Sequence, residues 1–146
     1  MDVVIEAEEG FTPAYATGGA AGADIRAYLP TDPVRRLLPG ERAVVPSGFR
    51  LIIPPGYAGM ICSRSGLAAK HGVVVLNAPG IIDDDYRGEI SVTLSNTSDA
   101  VFTLHHGDRI AQLLLVPAAR CSFVEGEVRS DVTVRGEGGH GSTGTT

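Results

Sequence analysis

Turn-forming residues cut this chain into pieces too short for long helices. Nineteen glycines and nine prolines are spread through its 146 residues. Ala43-Val44-Val45, Phe49-Arg50-Leu51-Ile52-Ile53 and the stretch from Tyr57 to Ser63 are successive strand candidates. Pro46-Ser47-Gly48 and Pro54-Pro55-Gly56 separate them, and both are strong turn signals. Glu89 to Asn96 is the cleanest strand candidate. There Ile90, Val92 and Leu94 fall on one face, and Ser91, Thr93 and Ser95 on the other. Val101 to Leu104 and Ile110 to Val116 follow, with His106-Gly107-Asp108 as the turn between them. One short helix is predicted from Ser65 to His71, ended by Gly72. The pattern predicts an all-β chain of many turns. Ordinary β-sandwich packing accounts for it without invoking any activity.

The length predicts one domain with a real core. A formal charge of −5 argues against broad nucleic-acid binding, so an anionic ligand must meet a local basic patch. Cys62 and Cys121 have no short Cys/His spacing around them, which argues against zinc. The N-terminal residues carry no basic region followed by an apolar run, and no stretch reaches membrane-spanning length. Reduced thiols in a cytoplasmic protein are expected.

Residues 135–144 stand apart, because five of the ten are glycine. No strong strand or helix forms from such a run. It also carries Arg135, His140, Ser142 and Thr143. Backbone N–H groups there can cradle an anion and the arginine can match its charge. A solvated tail is the equally weighted alternative. Asp83-Asp84-Asp85, by composition alone, is a solvated acidic turn.

Five segments, in order and spacing, resemble the trimeric dUTP pyrophosphatases (dUTPases). They are Ala21-Gly22-Ala23-Asp24-Ile25, Ser63-Arg64-Ser65-Gly66-Leu67-Ala68, Asn77 through Gly88, Gly107-Asp108-Arg109-Ile110-Ala111-Gln112, and the glycine-rich tail. The third is the most specific. Two departures from the family pattern are visible. His140 stands at the usual phenylalanine, a feature similar to actinobacterial members, and Cys62-Ser63 precede Arg64 where proline is common. The second is expected to affect only a turn.

The resemblance implies a distorted jelly-roll β-sandwich or barrel with one short helix, assembled as a homotrimer with active sites shared between subunits. Residues 1–129 would form the jelly roll, including a C-terminal exchange strand at about Cys121 to Val128, and 130–146 a flexible arm closing the site. It implies Mg2+-dependent hydrolysis of dUTP to dUMP and pyrophosphate by water attack on the α-phosphorus. That reaction limits uracil incorporation into DNA and supplies dUMP for thymidylate synthesis. Asp83 would be the catalytic base. Arg64, Ser65, Gly66 and Gln112 would contact the phosphates. Asn77, Ile82 and Tyr86 would hold uracil and deoxyribose, with Tyr86 excluding a 2′-hydroxyl. Arg135, His140, Gly141, Ser142 and Thr143 would close over the nucleotide, the ring of His140 stacking on the base. Asp24 would bind Mg2+ through water. Arg109 would either bind phosphate indirectly or hold a neighbouring carboxylate, with the structural role preferred. A dCTP deaminase and an inactive binding module are the competing readings. Neither stable nucleic-acid binding nor membrane association is expected.

Overall fold

Alternating side chains along several short strands bury one face and so build two layers. The structure, a computed structural model, describes residues 1–129 and 133–138. In chain order the strands are β1 (Val4–Ala7), β2 (Ala14–Tyr15), β3 (Ala23–Arg26), β4 (Val34–Leu37), β5 (Arg42–Pro46), β6 (Phe49–Ile52) and β7 (Tyr57–Ser63). After the helix α1 (Ser65–His71) come β8 (Val73–Val75), β9 (Gly80–Ile82), β10 (Ser91–Asn96), β11 (Phe102–His105) and β12 (Arg109–Pro117). Hydrogen bonding joins them in the orders β2-β3-β12-β7-β9, β5-β10-β8, β1-β6 and β11-β4. All pairings are antiparallel. The result is an open, distorted jelly roll rather than a closed barrel. The strands expected from sequence are present within a residue or two, and β1 to β4, β8 and β9 are additions. These six were hard to read because none exceeds four residues.

The core lies between the layers. Ile25, Leu37, Val45, Leu94 and Leu104 lose all exposure there. Each fully buried side chain of this kind stabilises the fold by about 1.5–3 kcal/mol. Ile90, Val92 and Leu94 face inward as the alternation predicts. Ser95 is buried too, because β10 is a central strand and sets this residue between Arg42 of β5 and Val74 of β8.

Helix α1 ends as expected. Gly72 adopts a left-handed conformation, φ 63° and ψ 20°, and its N–H returns to the carbonyl of Ala68 at 3.1 Å. The start of the helix is less regular. Arg64 occupies the N-cap without a side-chain cap bond. A serine or aspartate there would cap better, but the arginine side chain is used elsewhere.

No described residue after Pro117 belongs to a strand or helix. Phe123, Val124 and Val128, inside the stretch expected to be strand-like, are almost fully exposed.

Asn96, at the end of β10, is fully buried and makes four hydrogen bonds. Its Nδ2 donates to the carbonyls of Leu37 at 2.9 Å and Ala100 at 2.7 Å. Its Oδ1 accepts from the backbone N–H and the hydroxyl of Ser98, at 3.0 and 2.8 Å. Replacing Asn96 by Ala removes the buried bond to the Leu37 carbonyl and unties the partly exposed turn from Ser98 to Ala100. Asn96→Ala is expected to lower unfolding stability by about 2–4 kcal/mol, read from the urea midpoint at unchanged slope.

Candidate active site

A bulge in β12 builds the charged part of the site. Along the β3–β12 ladder Arg109 faces Arg26 and Ala111 faces Ile25, so Ile110 is an extra residue. Bulges re-aim side chains. Here Ile110 and Ala111 both enter the core, at 1% and 0% exposure, while Arg109 is left free to turn outward. Past the bulge, Gln112 sits opposite Asp24 on β3 and Cys62 on β7.

Asp24 is the hub. Its carboxylate is 8% exposed and is charge-matched by two guanidinium groups. Arg64 Nε donates to Oδ1 at 3.0 Å, and Arg109 donates through a terminal nitrogen to Oδ2 at 3.0 Å. Gln112 Nε2 lies 3.5 Å from Oδ1. Arg64 also donates to the carbonyl of Arg109 at 3.1 Å. One carboxylate against two arginines leaves a local surplus of positive charge on a chain that is negative overall. Arg109 thus holds a neighbouring carboxylate, one of the two roles expected for it. Ser65 and Gly66 follow Arg64 in the first turn of α1.

Ser63 corrects the expectation of a mere turn effect. Cys62 and Ser63 are the last two residues of β7, and the Ser63 hydroxyl accepts the Val75 N–H at 2.8 Å. It ties β7 to β8, which a proline could not do through a side-chain hydroxyl.

The second cluster lies on the strap between β9 and β10. Ile82 ends β9 opposite Gly59. Asp83 follows it, exposed, with no hydrogen bond or ion pair for its carboxylate among the described residues. The Asp83 carbonyl accepts the Tyr86 N–H at 3.2 Å. Arg87 donates from one nitrogen to the carbonyls of Asp84 and Tyr86, at 2.7 and 2.8 Å. A shallow recess is lined by Ile82, Asp83, Tyr86, Glu89, Ile90 and Ser91. Asn77 stands in the turn before β9 with its amide over Gly80, where an added Cβ would come within 3.2 Å.

These two clusters do not meet within one chain. Asp24 is three strands from β9 in the order β3-β12-β7-β9. It is also displaced along the strands from the level of Asp83. Counted by strand spacing and rise, their backbone positions lie roughly 20 Å apart. Of the arm, Arg135 is described, with its Nε donating to the Gly138 carbonyl at 2.9 Å. His140, Gly141, Ser142 and Thr143 lie outside the described residues.

A family model described as dUTPase matches residues 8–144. The chain belongs to the dUTPase family. It is 53% identical over 132 residues to the deoxyuridine 5′-triphosphate nucleotidohydrolase of Roseobacter denitrificans, covering 90% of this chain and 86% of that one. To the enzyme of the same name from Rhizobium meliloti it is 51% identical over 133 residues, covering 91% and 82%. Among solved structures it is similar to a variant of the Staphylococcus bacteriophage 80alpha dUTPase with dUpNHpp. The TM-score is 0.86, at 26% identity over 98% of both chains.

In this dUTPase the sequence motifs located Asp24, Arg64, Arg109 and Gln112 but not their mutual bonds. Arg87, Glu89 and Ser47 were missed as supports of the site. The first two stood in plain view beside Tyr86, with no local pattern to distinguish a clamp from a solvated charge.

Removing the Asp24 carboxylate leaves two guanidinium groups facing each other. Asp24→Ala is expected to cost about 1–3 kcal/mol, below the figure for a fully buried pair because Arg109 is 47% exposed. Urea unfolding measures it, and Arg109→Ala should cost much less.

Proposed function

We propose that this dUTPase hydrolyses dUTP to dUMP and pyrophosphate at sites completed by more than one subunit, with Asp83 as the base. The separation of the two clusters carries this reading. A nucleotide held by the strap of one chain needs phosphate-binding arginines from another, since its own lie roughly 20 Å away.

Asp83 is suited to its role because its carboxylate is exposed and engaged by no described partner. It would accept a proton from water attacking the α-phosphorus. Tyr86 would lie under the deoxyribose, and Asn77 and Ile82 would flank the uracil. Arg64, Ser65, Gly66 and Gln112 would hold the phosphates, the positive surplus around Asp24 drawing the anion. Arg135, His140, Gly141, Ser142 and Thr143 would close the arm over the nucleotide, with the His140 ring on the base where the family's phenylalanine would lie. Product dUMP would feed thymidylate synthesis, and dUTP removal would limit uracil in DNA. The free thiols Cys62 and Cys121 support a cytoplasmic setting.

Mg2+ fits through water. A carboxylate offers about four lone-pair positions, and Arg64, Arg109 and Gln112 take three on Asp24. The remaining one suits a metal-bound water better than a metal that needs several carboxylates, and magnesium beside phosphates commonly keeps its waters. When bound, the ion would neutralise triphosphate charge.

The assembly implied by the family for such shared sites is a homotrimer. Support comes from an apolar groove lined by Val3, Ile5, Ala23, Leu51, Leu113 and Leu115. Phe123 and Val124 are almost fully exposed, without apolar cover among the described residues, and match such a groove in a neighbour. Residues 130–146 would then be the arm and 1–129 the jelly roll with its exchanged segment.

Asp83→Asn preserves shape and removes basicity. Its kcat should fall on the order of a hundredfold or more with dUTP binding kept. Turnover within a few-fold of the unaltered enzyme would reject Asp83 as the base. Mixing Asp83→Asn subunits with subunits lacking 135–146, after dissociation and reassembly, should restore part of the activity. The two lesions then fall in different sites of one trimer. A fully active monomer in sedimentation would refute shared sites.

A further inference from the structure

The strap that carries Tyr86 is anchored at a point far away in sequence. The Tyr86 hydroxyl donates to the Glu89 carbonyl at 3.1 Å. The Glu89 carboxylate accepts the backbone N–H of Gly48 at 2.8 Å. Gly48 belongs to a turn that is itself firmly held. The Ser47 hydroxyl, fully buried, donates to the Ile90 carbonyl at 2.6 Å. Glu8 donates its N–H to the Gly48 carbonyl at 2.8 Å, and Tyr28 donates its N–H to the Pro46 carbonyl at 2.8 Å. The ring of Tyr86, 45% exposed, folds back over Gly88. A Cβ at Gly88 would collide with the hydroxyl and with Cζ of that ring.

We propose that Gly88 and Glu89 are positioning residues that fix the Tyr86 ring and thereby set how strictly this enzyme excludes a 2′-hydroxyl. Neither needs to touch the nucleotide. The inference rests on the reading that Tyr86 lies under the deoxyribose. Steric exclusion of one hydroxyl depends on a wall that does not yield, and Tyr86 is too exposed to be held by packing alone. Its position is determined from three sides. The missing Cβ of Gly88 lets the ring fold down, the Glu89 carbonyl holds its outer end, and the Gly48 N–H holds Glu89. Small misplacements of a positioning group have large kinetic effects. A ring free to move away from the sugar admits UTP, while dUTP, which never needed the space, is little affected.

The test is the ratio of kcat/KM for UTP to that for dUTP, measured on the full-length enzyme. Gly88→Ala, Glu89→Ala and Tyr86→Phe are expected to raise it several-fold to about tenfold, mainly through a lower KM for UTP. Glu89→Gln should leave it within about twofold, since a carboxamide oxygen accepts the same N–H. A purely structural role would slow both substrates alike and leave the ratio unchanged. Tyr86→Ala serves as the control. If it raises the ratio while Gly88→Ala and Glu89→Ala do not, the positioning role is overturned and the sugar reading stands. If Tyr86→Ala also leaves the ratio unchanged, the sugar reading itself fails. Should Gly88→Ala fold poorly, Glu89→Ala and Tyr86→Phe decide, because both alter partly exposed side chains.

Discussion

One extra residue in one strand does most to turn this sandwich into a site. β12 is hydrogen-bonded along both edges, to β3 and to β7, so it holds the largest sheet together. Strict alternation from Leu113 backwards would point Arg109 into the core beside Ala111. The bulge at Ile110 breaks that alternation. It gives the core one more apolar side chain and releases a guanidinium to the outer face. Asp24 meets it there, together with Arg64 from the end of β7.

The same economy operates at α1. An arginine at the N-cap leaves the helix start without a side-chain acceptor. Its guanidinium instead completes the charge match at Asp24. A seven-residue helix is marginal by itself, so its end at Gly72 is tied to the neighbouring turn. Thr97 donates both its N–H and its hydroxyl to the Gly72 carbonyl, at 2.8 and 2.7 Å. Local propensity is sacrificed where the site requires it and recovered one turn later.

The two clusters also differ in kind. The arginine hub is built on the paired strands β3 and β12, with Arg64 reaching in from the junction of β7 and α1. The strap from Asp83 to Glu89 has no ladder and is held by isolated hydrogen bonds from Arg87, Tyr86 and Glu89. A chain that must present Asp83 to water and Tyr86 to a sugar needs these groups on an exposed segment. Fixed anchors at Ser47 and Gly48 let such a segment keep its shape.

The sequence by itself determined the strand-and-turn character, the helix from Ser65 to His71 and its stop at Gly72. It also determined the family, through the residues that carry the motifs. The strand, turn and helix features follow from local chemistry, namely the period of apolar residues and the backbone freedom of glycine, while the family follows from motif resemblance. Tertiary structure alone decided that Asp24 faces two arginines, that Ser63 bonds Val75, and that Glu89 reaches Gly48. Each of these contacts joins residues from 12 to 85 positions apart. None has a local signature, since a charge destined for a distant partner looks like a charge destined for water. The bulge was hidden for a related reason. Ile110 to Val116 reads as one apolar run, and only the register imposed by β3 shows where the run slips.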